Sequence, residues 1–196
     1  MVKIYTKRGD AGQTMQTTGK MVSKTDPQIQ ALGAIDECQS YLGVVVAQLV
    51  PKHSAKLAPE LQNVQRTLYH LQADIAVPRE HQITLAAVTQ LETRIDEIMA
   101  HTPRIKGFIL PGGGPAGAGL QYARTLARKA ERAVVALSAG QTLAPVLLQY
   151  LNRLSDYLFA LALRANFLDG VQEVPSKPSD ATRITTVTPE SAGQFR

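Results

Sequence analysis

Residues 108–137 read FILPGGGPAGAGLQYARTLARKAERAVVAL, and this stretch decides the fold. A short apolar run ends at Pro111, and glycines at 112–114 then let the backbone bend sharply or approach another group closely. Beyond them, apolar residues recur at spacings of three and four, as on the buried face of a helix. The stretch therefore predicts a glycine turn followed by an amphipathic helix, whose apolar stripe is Leu120, Ala123, Ala127, Ala130 and Val134.

A second, charged stripe lies beside the apolar one. Arg124, Arg128 and Glu131 fall within about 60° of each other when each residue advances about 100° around the helix axis. One interpretation is a basic helix face that binds a pyrophosphate group next to the glycine turn. The other is a solvated helix face with i,i+3 and i,i+4 ion pairs, each contributing about 0.2–0.5 kcal/mol. Both interpretations stay open on this stretch alone.

Four further stretches carry a helical period. Pro27 after Asp26 suits the first turn of a helix that the aspartate caps. Short connections join the helical stretches, and no stretch alternates polar and apolar residues as a strand does. The sequence therefore predicts an all-α, five-helix up-and-down bundle. The further helices are predicted over residues 27–50, 59–77, 84–101 and 141–168. The predicted parts of the chain are an N-terminal segment over 1–26, the helical bundle over 27–168 and a loosely ordered tail over 169–196.

Composition limits the classes of function. The 196 residues suffice for one core and are few for two domains. The net charge of +5 favours anionic ligands, yet there is no basic run interleaved with aromatics that would favour nucleic acid. Cys38 is the only cysteine, and no stretch is apolar enough to span a bilayer. We expect a soluble, cytoplasmic protein that binds neither nucleic acid nor membranes.

The N-terminal residues 3–24 are rich in glycine, threonine and lysine. Such residues leave backbone N–H groups exposed, which is how loops cradle phosphates. The Walker pattern G-x-x-x-x-G-K-[ST] is absent, so this is a different kind of loop. The alternative is a flexible polar N-terminus. Ile4 and Tyr5 as an apolar anchor, and the turn-forming Asp10-Ala11-Gly12, favour an ordered segment.

Polar residues also interrupt the apolar helices. Asp36 lies one step from an apolar seam, where an unpaired carboxylate is costly, so we expect a cationic partner, with Arg124 as the candidate. Asn152 and Asp156 are neighbours at i,i+4 in the last helix, and they either meet a ligand or satisfy one another. The remaining acidic and imidazole groups of the middle helices lack metal-ligand spacing: His70, His81, Glu92 and Asp96.

Three stretches resemble the signature motifs of PduO-type corrinoid adenosyltransferases. The first combines residues 6–14, TKRGDAGQT, with VSK at 22–24 and ALGAIDE at 31–37. The second combines FILPGG at 108–113 with ART at 123–125, Arg128 and AER at 130–132. The third is YLNRLSD at 150–156. The motifs follow the family's order and the resemblance covers about residues 3–168, so that the tail lies outside it.

This resemblance implies an enzyme. It implies a ferritin-like five-helix bundle that assembles as a homotrimer, with active sites between adjacent subunits. The implied reaction transfers the 5′-deoxyadenosyl group of ATP to cob(I)alamin, with Mg²⁺ accompanying the ATP, and yields adenosylcobalamin and triphosphate. An adenosylcobalamin-dependent enzyme that receives the product is an implied partner. The alternative is a catalytically silent bundle that binds nucleotide or cobalamin as a sensor or delivery chaperone.

The resemblance also assigns roles to residues. Arg128 would be a catalytic group on the polyphosphate, Glu131 would act near the nucleotide or its Mg²⁺, and Asn152 would hydrogen-bond the nucleotide. Phe108 would pack against the corrin face and exclude the lower axial ligand, which makes it the second catalytic residue. Asp36 and Arg124 would form an intersubunit salt bridge that shapes the corrinoid site. The ATP phosphates would be wrapped by Thr6, Lys7, Arg8, Gly9, Asp10, Gly12, Gln13, Thr14 and Lys24.

The chain departs from the family pattern at a few positions. Met21 stands where the family often has arginine, which puts one nucleotide or subunit contact in doubt; Arg8 or Lys20 would be the replacement. None of the residues assigned to central roles is lost. The other departures are Arg8 for threonine or asparagine, Gln121 for histidine, Lys129 for arginine and Leu163-Arg164 for arginine-tyrosine.

Overall fold

Proline begins four of the five helices, because its fixed φ suits the first helical position and its missing N–H is not needed there. The computed structural model describes residues 4–77 and 81–177, and their side chains apart from those of 51–55. The five-helix bundle is confirmed. Its helices are α1 Pro27–Gln48, α2 Pro51–Ala76, α3 Leu85–Ala100, α4 Pro115–Ser138 and α5 Pro145–Asp169.

The helices pack side by side in the order α2, α1, α4, α5, α3. Each contact buries the apolar stripe that the sequence predicts, and Leu120, Ala123, Ala127, Ala130 and Val134 of α4 are all fully buried. Helix α5 contributes the most buried residues and contacts both α4 and α3. A cleft of about 250 Å³ remains between α2 and α3, above Tyr150 and Tyr157 of α5.

Two helix boundaries differ from the sequence prediction. Helix α2 begins at Pro51 rather than near residue 59, and Pro59 lies inside it. Pro59 is the ninth residue of α2, so its missing N–H removes one backbone hydrogen bond from the helix interior, and the helix continues across it. Helix α5 begins at Pro145 rather than at 141, because the preceding residues form the connection from α4.

The N-terminal segment forms a small hairpin that the sequence did not predict. Strands β1 Gln13–Met15 and β2 Met21–Ser23 pair antiparallel, with Thr14 opposite Val22. The Thr17 hydroxyl donates to the carbonyl of Ala76 at 2.6 Å, which attaches the hairpin to the end of α2. Three-residue strands with glycine and threonine between them carry too few alternating apolar positions to be recognised from the sequence.

The tail also differs from its prediction at its start. Residues 171–177 leave α5 after Gly170 and run beside residues 108–110, where Ile109 forms an antiparallel bridge with Pro175. Residues 178–196 of the predicted loose tail lie outside the described residues. Of the helices in the described ranges, none is long and apolar enough to cross a membrane.

Candidate active site

The candidate site residues are distributed along the length of the bundle. Helix α4 has 24 residues and is therefore about 36 Å long. Its start carries the glycine turn and Phe108, whereas its end lies beside the start of α1 and the end of α2, where Gln28 donates to the carbonyl of Ile75 and to the side chain of Gln141. The hairpin is attached at this second end.

The loop before the hairpin is bent back on itself and open to solvent. Lys7 has φ 63° and Gly12 has φ 79°, both in the left-handed region that such a tight loop requires. The N–H of Gly12 donates to the carbonyl of Gly9, and the N–H of Lys24 donates to the carbonyl of Gly12 at 2.9 Å. The Lys24 ammonium lies so close to Gly9 that an added Cβ there would be 3.2 Å from it. The loop predicted to wrap phosphates and its predicted lysine thus lie together.

The charged stripe of α4 does not form the ion pairs that its solvated interpretation requires. Glu131 accepts a hydrogen bond at 3.0 Å from the Asn152 side chain on α5, which joins two residues predicted to contact the nucleotide. Arg128 is exposed, and no carboxylate of the described ranges pairs with it. Asn152 does not bond Asp156, which pairs with Arg153 instead. The arrangement leaves a free guanidinium beside a fixed carboxylate–amide pair.

Arg124 is held between its own helix and α5. Its Nε donates to the side chain of Gln121 at 3.0 Å, and its guanidinium lies 5.9 Å from the centre of the Phe159 ring. Partial burial, and then the nearby charge of Arg128, lower the pKa of Arg124. The buried Nε2 of Gln121 has no acceptor among the described residues. The Gln121 amide therefore keeps one buried donor without a partner among the described residues, beside the oxygen that holds Arg124.

Asp36 and Arg124 do not meet within one chain. The flank of α4 that faces α1 carries Tyr122 and Lys129; the Tyr122 ring lies 4.8 Å from that of Tyr41, and Lys129 pairs with Glu37. Arg124 lies about 140–160° around α4 from these two residues and faces α5. Asp36 is exposed on α1. Their predicted salt bridge between subunits stays a prediction.

Phe108 projects from the bundle next to the glycine turn, with 86% of the residue exposed. The turn itself is closed by a residue that sequence reasoning missed. Asn166 of α5 is fully buried; its side-chain oxygen accepts from the N–H of Gly114 at 3.1 Å and its amide donates to the carbonyl of Gly112 at 3.2 Å. An asparagine in the apolar run of α5 was the signal that could have found it.

The described residues do not include a cluster of three or more His, Cys, Asp or Glu side chains that could hold a metal by themselves. Glu131 is a single, half-exposed carboxylate on the candidate nucleotide surface. Mg²⁺ in nucleotide sites is commonly held by one or two carboxylates together with substrate phosphates and water. Glu131 fits that kind of site and does not fit a metal site made by protein alone.

Residues 4–165 match the profile of the cobalamin adenosyltransferase family. The chain belongs to this family. A corrinoid adenosyltransferase of Bacillus subtilis is 40% identical over 177 residues, which are 88% of this chain and 91% of the relative. The corrinoid adenosyltransferase PduO of Citrobacter freundii is 42% identical over 166 residues, 81% of this chain; the match spans 48% of that longer protein.

Solved cobalamin adenosyltransferases share the fold. A PduO-type ATP:corrinoid adenosyltransferase from Lactobacillus reuteri, in a variant with alanine in place of a phenylalanine, is complexed with cobalamin and ATP. It superposes with a TM-score of 0.83 and 35% identity, covering 89% of this chain and 99% of that one. A variant of the same protein with lysine in place of an arginine, complexed with ATP, gives a TM-score of 0.81 and 37% identity, covering 89% and 100%.

The positions where this cobalamin adenosyltransferase departs from the family pattern are accommodated locally. Lys129 makes a cross-helix ion pair with Glu37, and Gln121 holds Arg124. Leu163 is buried in the core, while Arg164 donates to the carbonyl of His101 and lies over the Phe167 ring. Met21 is 44% exposed in β2. These departures leave the predicted phosphate loop and the α4 stripe in place.

Proposed function

We propose that this chain transfers the 5′-deoxyadenosyl group of ATP to cob(I)alamin, forming adenosylcobalamin and triphosphate. The observation that carries the proposal is the exposed, unpaired Arg128 beside the Glu131–Asn152 pair. An arginine without a carboxylate partner on a family-specific helix face is available for an anionic substrate. The Lactobacillus reuteri relative was solved with both cobalamin and ATP, which supports the same two substrates here.

The chemistry asks the protein for position and charge rather than for a nucleophile. The lone pair of Co(I) in the corrinoid substrate attacks C5′ of the ribose, the Co–C bond forms, and the C5′–O bond breaks with its electron pair leaving on triphosphate. Cationic and backbone N–H groups that meet the developing charge lower the barrier. Arg128, Lys24 and the N–H groups of the loop 6–14 are suited to that role, since a guanidinium stays protonated and binds phosphate oxygens in pairs.

Phe108 serves the corrinoid end of the site. Its exposed ring offers an apolar face to the corrin ring and leaves no donor for the cobalt on that side. Cobalt without a lower axial donor is easier to reduce, because loss of the donor destabilises Co(II) relative to Co(I). Phe108 therefore favours the nucleophilic state of the substrate without itself reacting.

Mg²⁺ bound with ATP would be held by Glu131 together with the phosphates, and it would supply charge neutralisation of the triphosphate. Asn152 keeps the Glu131 carboxylate oriented through their hydrogen bond. The chain would therefore contribute one oriented carboxylate, that of Glu131, to the binding of Mg²⁺.

The active sites of this proposal lie between subunits of a homotrimer. The loop 6–14 and Asp36 belong to the α1 and α2 side of the bundle, whereas Arg124 faces α5 and the exposed Arg128 lies about 40° from it around α4. A neighbour's α1 side docked on the α4–α5 side unites both halves of the site and pairs Asp36 with Arg124. Such a contact between two different surfaces closes into a ring when the rotation allows it.

The proposal extends to the setting of the enzyme. The N-terminal segment, residues 1–26, would act as the nucleotide-binding part and residues 27–168 as the supporting bundle. The product of the proposed reaction, adenosylcobalamin, is a cofactor, so an adenosylcobalamin-dependent enzyme is the expected recipient. Cys38 is the only cysteine of the sequence and its thiol is free and buried, so the chain forms no internal disulfide, which suits a reducing compartment such as the cytoplasm.

An anaerobic assay with chemically reduced cob(I)alamin, ATP and Mg²⁺ tests the function. Wild-type protein should accumulate photolabile adenosylcobalamin, and Arg128→Ala should lower turnover by about 100-fold or more because the leaving triphosphate loses its cation. Arg66→Ala, which removes an exposed cation from α2, is the control and should keep wild-type turnover. Tight ATP or corrinoid binding by wild-type protein without any product would instead identify a silent sensor or chaperone.

A further inference from the structure

The side chain of Phe108 is too exposed to fix its own position, and its backbone does so instead. The carbonyl of Phe108 accepts from the N–H of Ser176 at 2.8 Å, and the N–H of Leu110 donates to the carbonyl of Val174 at 2.8 Å. Residues 171–177, which we call the strap, thus run antiparallel to 108–110. Backbone hydrogen bonds on both sides of Ile109 leave little freedom to the residue that carries the ring.

The strap is attached to the bundle by α5. Gly170 ends the helix in the left-handed conformation at φ 69°, and the N–H of Val171 returns to the carbonyl of Asn166 at 2.9 Å. The Asn166 side chain donates to the carboxylate of Glu173 at 2.9 Å. Glu173 is partly buried, and burial raises its pKa while this hydrogen bond opposes the rise. The Glu173 carboxyl group is therefore partly desolvated, and the Asn166 amide is its hydrogen-bond partner.

The same Asn166 amide holds the glycine turn that follows Phe108. It bonds Gly112 and Gly114 on either side of Gly113, whose φ is 114°. A Cβ at Gly113 or Gly117 would overlap this amide, so the turn and the first turn of α4 are packed directly on it. One buried side chain consequently joins the glycine turn, the start of α4 and the strap.

We propose that Asn166 and Glu173 are positioning residues, which act through the strap and the glycine turn to set where Phe108 meets the corrinoid. The inference rests on the proposed function, since Phe108 has a role only if a corrinoid binds beside it. Neither side chain touches the nucleotide groups, which lie farther along α4 and at the opposite end of the bundle. Loosening the strap therefore affects the corrinoid half of the reaction and spares the ATP half.

Substitution of Glu173 tests this separation. Glu173→Ala removes the acceptor for Asn166 and should lower kcat/KM for cob(I)alamin by about 10-fold, because a small displacement at a reacting centre is costly, with KM for ATP within about 2-fold of wild type. Glu173→Gln keeps an acceptor oxygen and should restore activity to within about 2-fold. Gln172→Ala changes the exposed neighbour on the strap and should match wild type.

A double substitution shows whether the effect passes through Phe108. If it does, Glu173→Ala should add less than about 2-fold to the loss already caused by Phe108→Ala, since coupled residues do not act additively. Bound cob(II)alamin gives a second readout by electron paramagnetic resonance. Its four-coordinate fraction should fall in Glu173→Ala and recover in Glu173→Gln.

A backbone variant covers the case in which Glu173→Ala fails to fold. Ser176→Pro removes the N–H that binds the Phe108 carbonyl and leaves Asn166 and Glu173 unchanged, and it should produce the same selective loss. Wild-type kinetics in folded Glu173→Ala and Ser176→Pro, or multiplicative losses with Phe108→Ala, would overturn the positioning role. Absence of turnover in wild-type protein would overturn the proposed function instead, so the two failures are distinguishable.

Discussion

Asn166 restricts positions 113 and 117 to glycine. It is fully buried and uses both ends of its amide on Gly112, Gly114 and Glu173. A buried amide with all these partners cannot swing aside without leaving polar groups unsatisfied, each at a cost of about 1–3 kcal/mol. The glycines packed against it are therefore required by contact as well as by backbone conformation.

Gly117→Ala should destabilise the protein although alanine is the better helix former. The added Cβ would overlap the Asn166 amide, and we expect a loss of about 1–3 kcal/mol in the free energy of unfolding. Gly43→Ala in α1 is the matched control: its Cβ would meet only the Gln65 amide at 3.4 Å, so a gain of up to about 1 kcal/mol is expected. Denaturant unfolding at equal protein concentration measures both. A stabilised Gly117→Ala would show that Asn166 is free to move.

At the level of single residues, the sequence shows which polar side chains need a hydrogen-bond partner better than it shows which groups those partners are. The polar positions Glu131 and Asn152 stand out in their helices, and they do bond each other. Asn166 was missed because one amide in an apolar run gives no indication of which backbone groups it reaches across 52 residues of sequence. Gln121 was noted only as a departure from a family pattern, whereas the structure shows that it holds Arg124.

The helices begin where capping and proline dictate. Asp26 accepts from the N–H of Gln28 at 2.9 Å and precedes Pro27, so α1 begins as the sequence predicts. Thr84 occupies the same position at α3 but makes no side-chain cap hydrogen bond. Proline was a less reliable guide inside α2, where Pro59 continues a helix that Pro51 begins. The hairpin escaped prediction because its three-residue strands are too short to show an alternating pattern.

Substitution of the two cap residues tests whether Asp26, and not Thr84, stabilises the start of its helix. Asp26→Ala should cost about 0.5–2 kcal/mol in the free energy of unfolding, because an N–H at the start of α1 loses its acceptor. Thr84→Ala should cost less than about 0.5 kcal/mol, since no cap hydrogen bond is lost there. Urea unfolding without ATP isolates stability from ligand binding. Equal losses in the two variants would contradict the assignment of a working cap to Asp26 alone.

At the scale of the whole molecule, periodicity in the sequence sufficed for the number and type of the helices. Apolar stripes at helical spacing have one stable outcome in a chain of this size, which is a bundle around one core. The order of packing and the tail's return along residues 108–110 depend on long-range contacts, which local patterns do not encode. The resemblance to the cobalamin adenosyltransferases supplied what periodicity cannot, namely the function and the expectation of a trimer.

The distribution of charged groups over one subunit is the physical argument for the proposed trimer. Helix α4 contacts α1 through Tyr122 and Lys129 on one flank, Arg124 faces α5 on the other, and the exposed Arg128 lies about 40° from Arg124 around the helix. The hairpin that follows the phosphate loop is attached to the end of α2, and Asp36 is exposed on α1, whereas Arg124 faces α5. In the proposed trimer, a complete site combines the loop of one subunit with the arginines of the next, so that each subunit would take part in two sites.

Co-assembly of two inactive variants tests this central claim most directly. Lys24→Glu places a carboxylate beside the phosphate loop, where it would repel the ATP phosphates. Arg128→Ala removes from the α4 stripe the guanidinium that would bind the polyphosphate. Each variant alone should therefore be inactive. Doubly tagged mixed trimers from equal co-expression should form adenosylcobalamin at about a third of the wild-type rate, because every ring that contains both variants has one site of its three in which the loop and the stripe each come from the subunit that keeps them unaltered. Mixed trimers no more active than the two parents would contradict the account, since they would place every site within a single subunit.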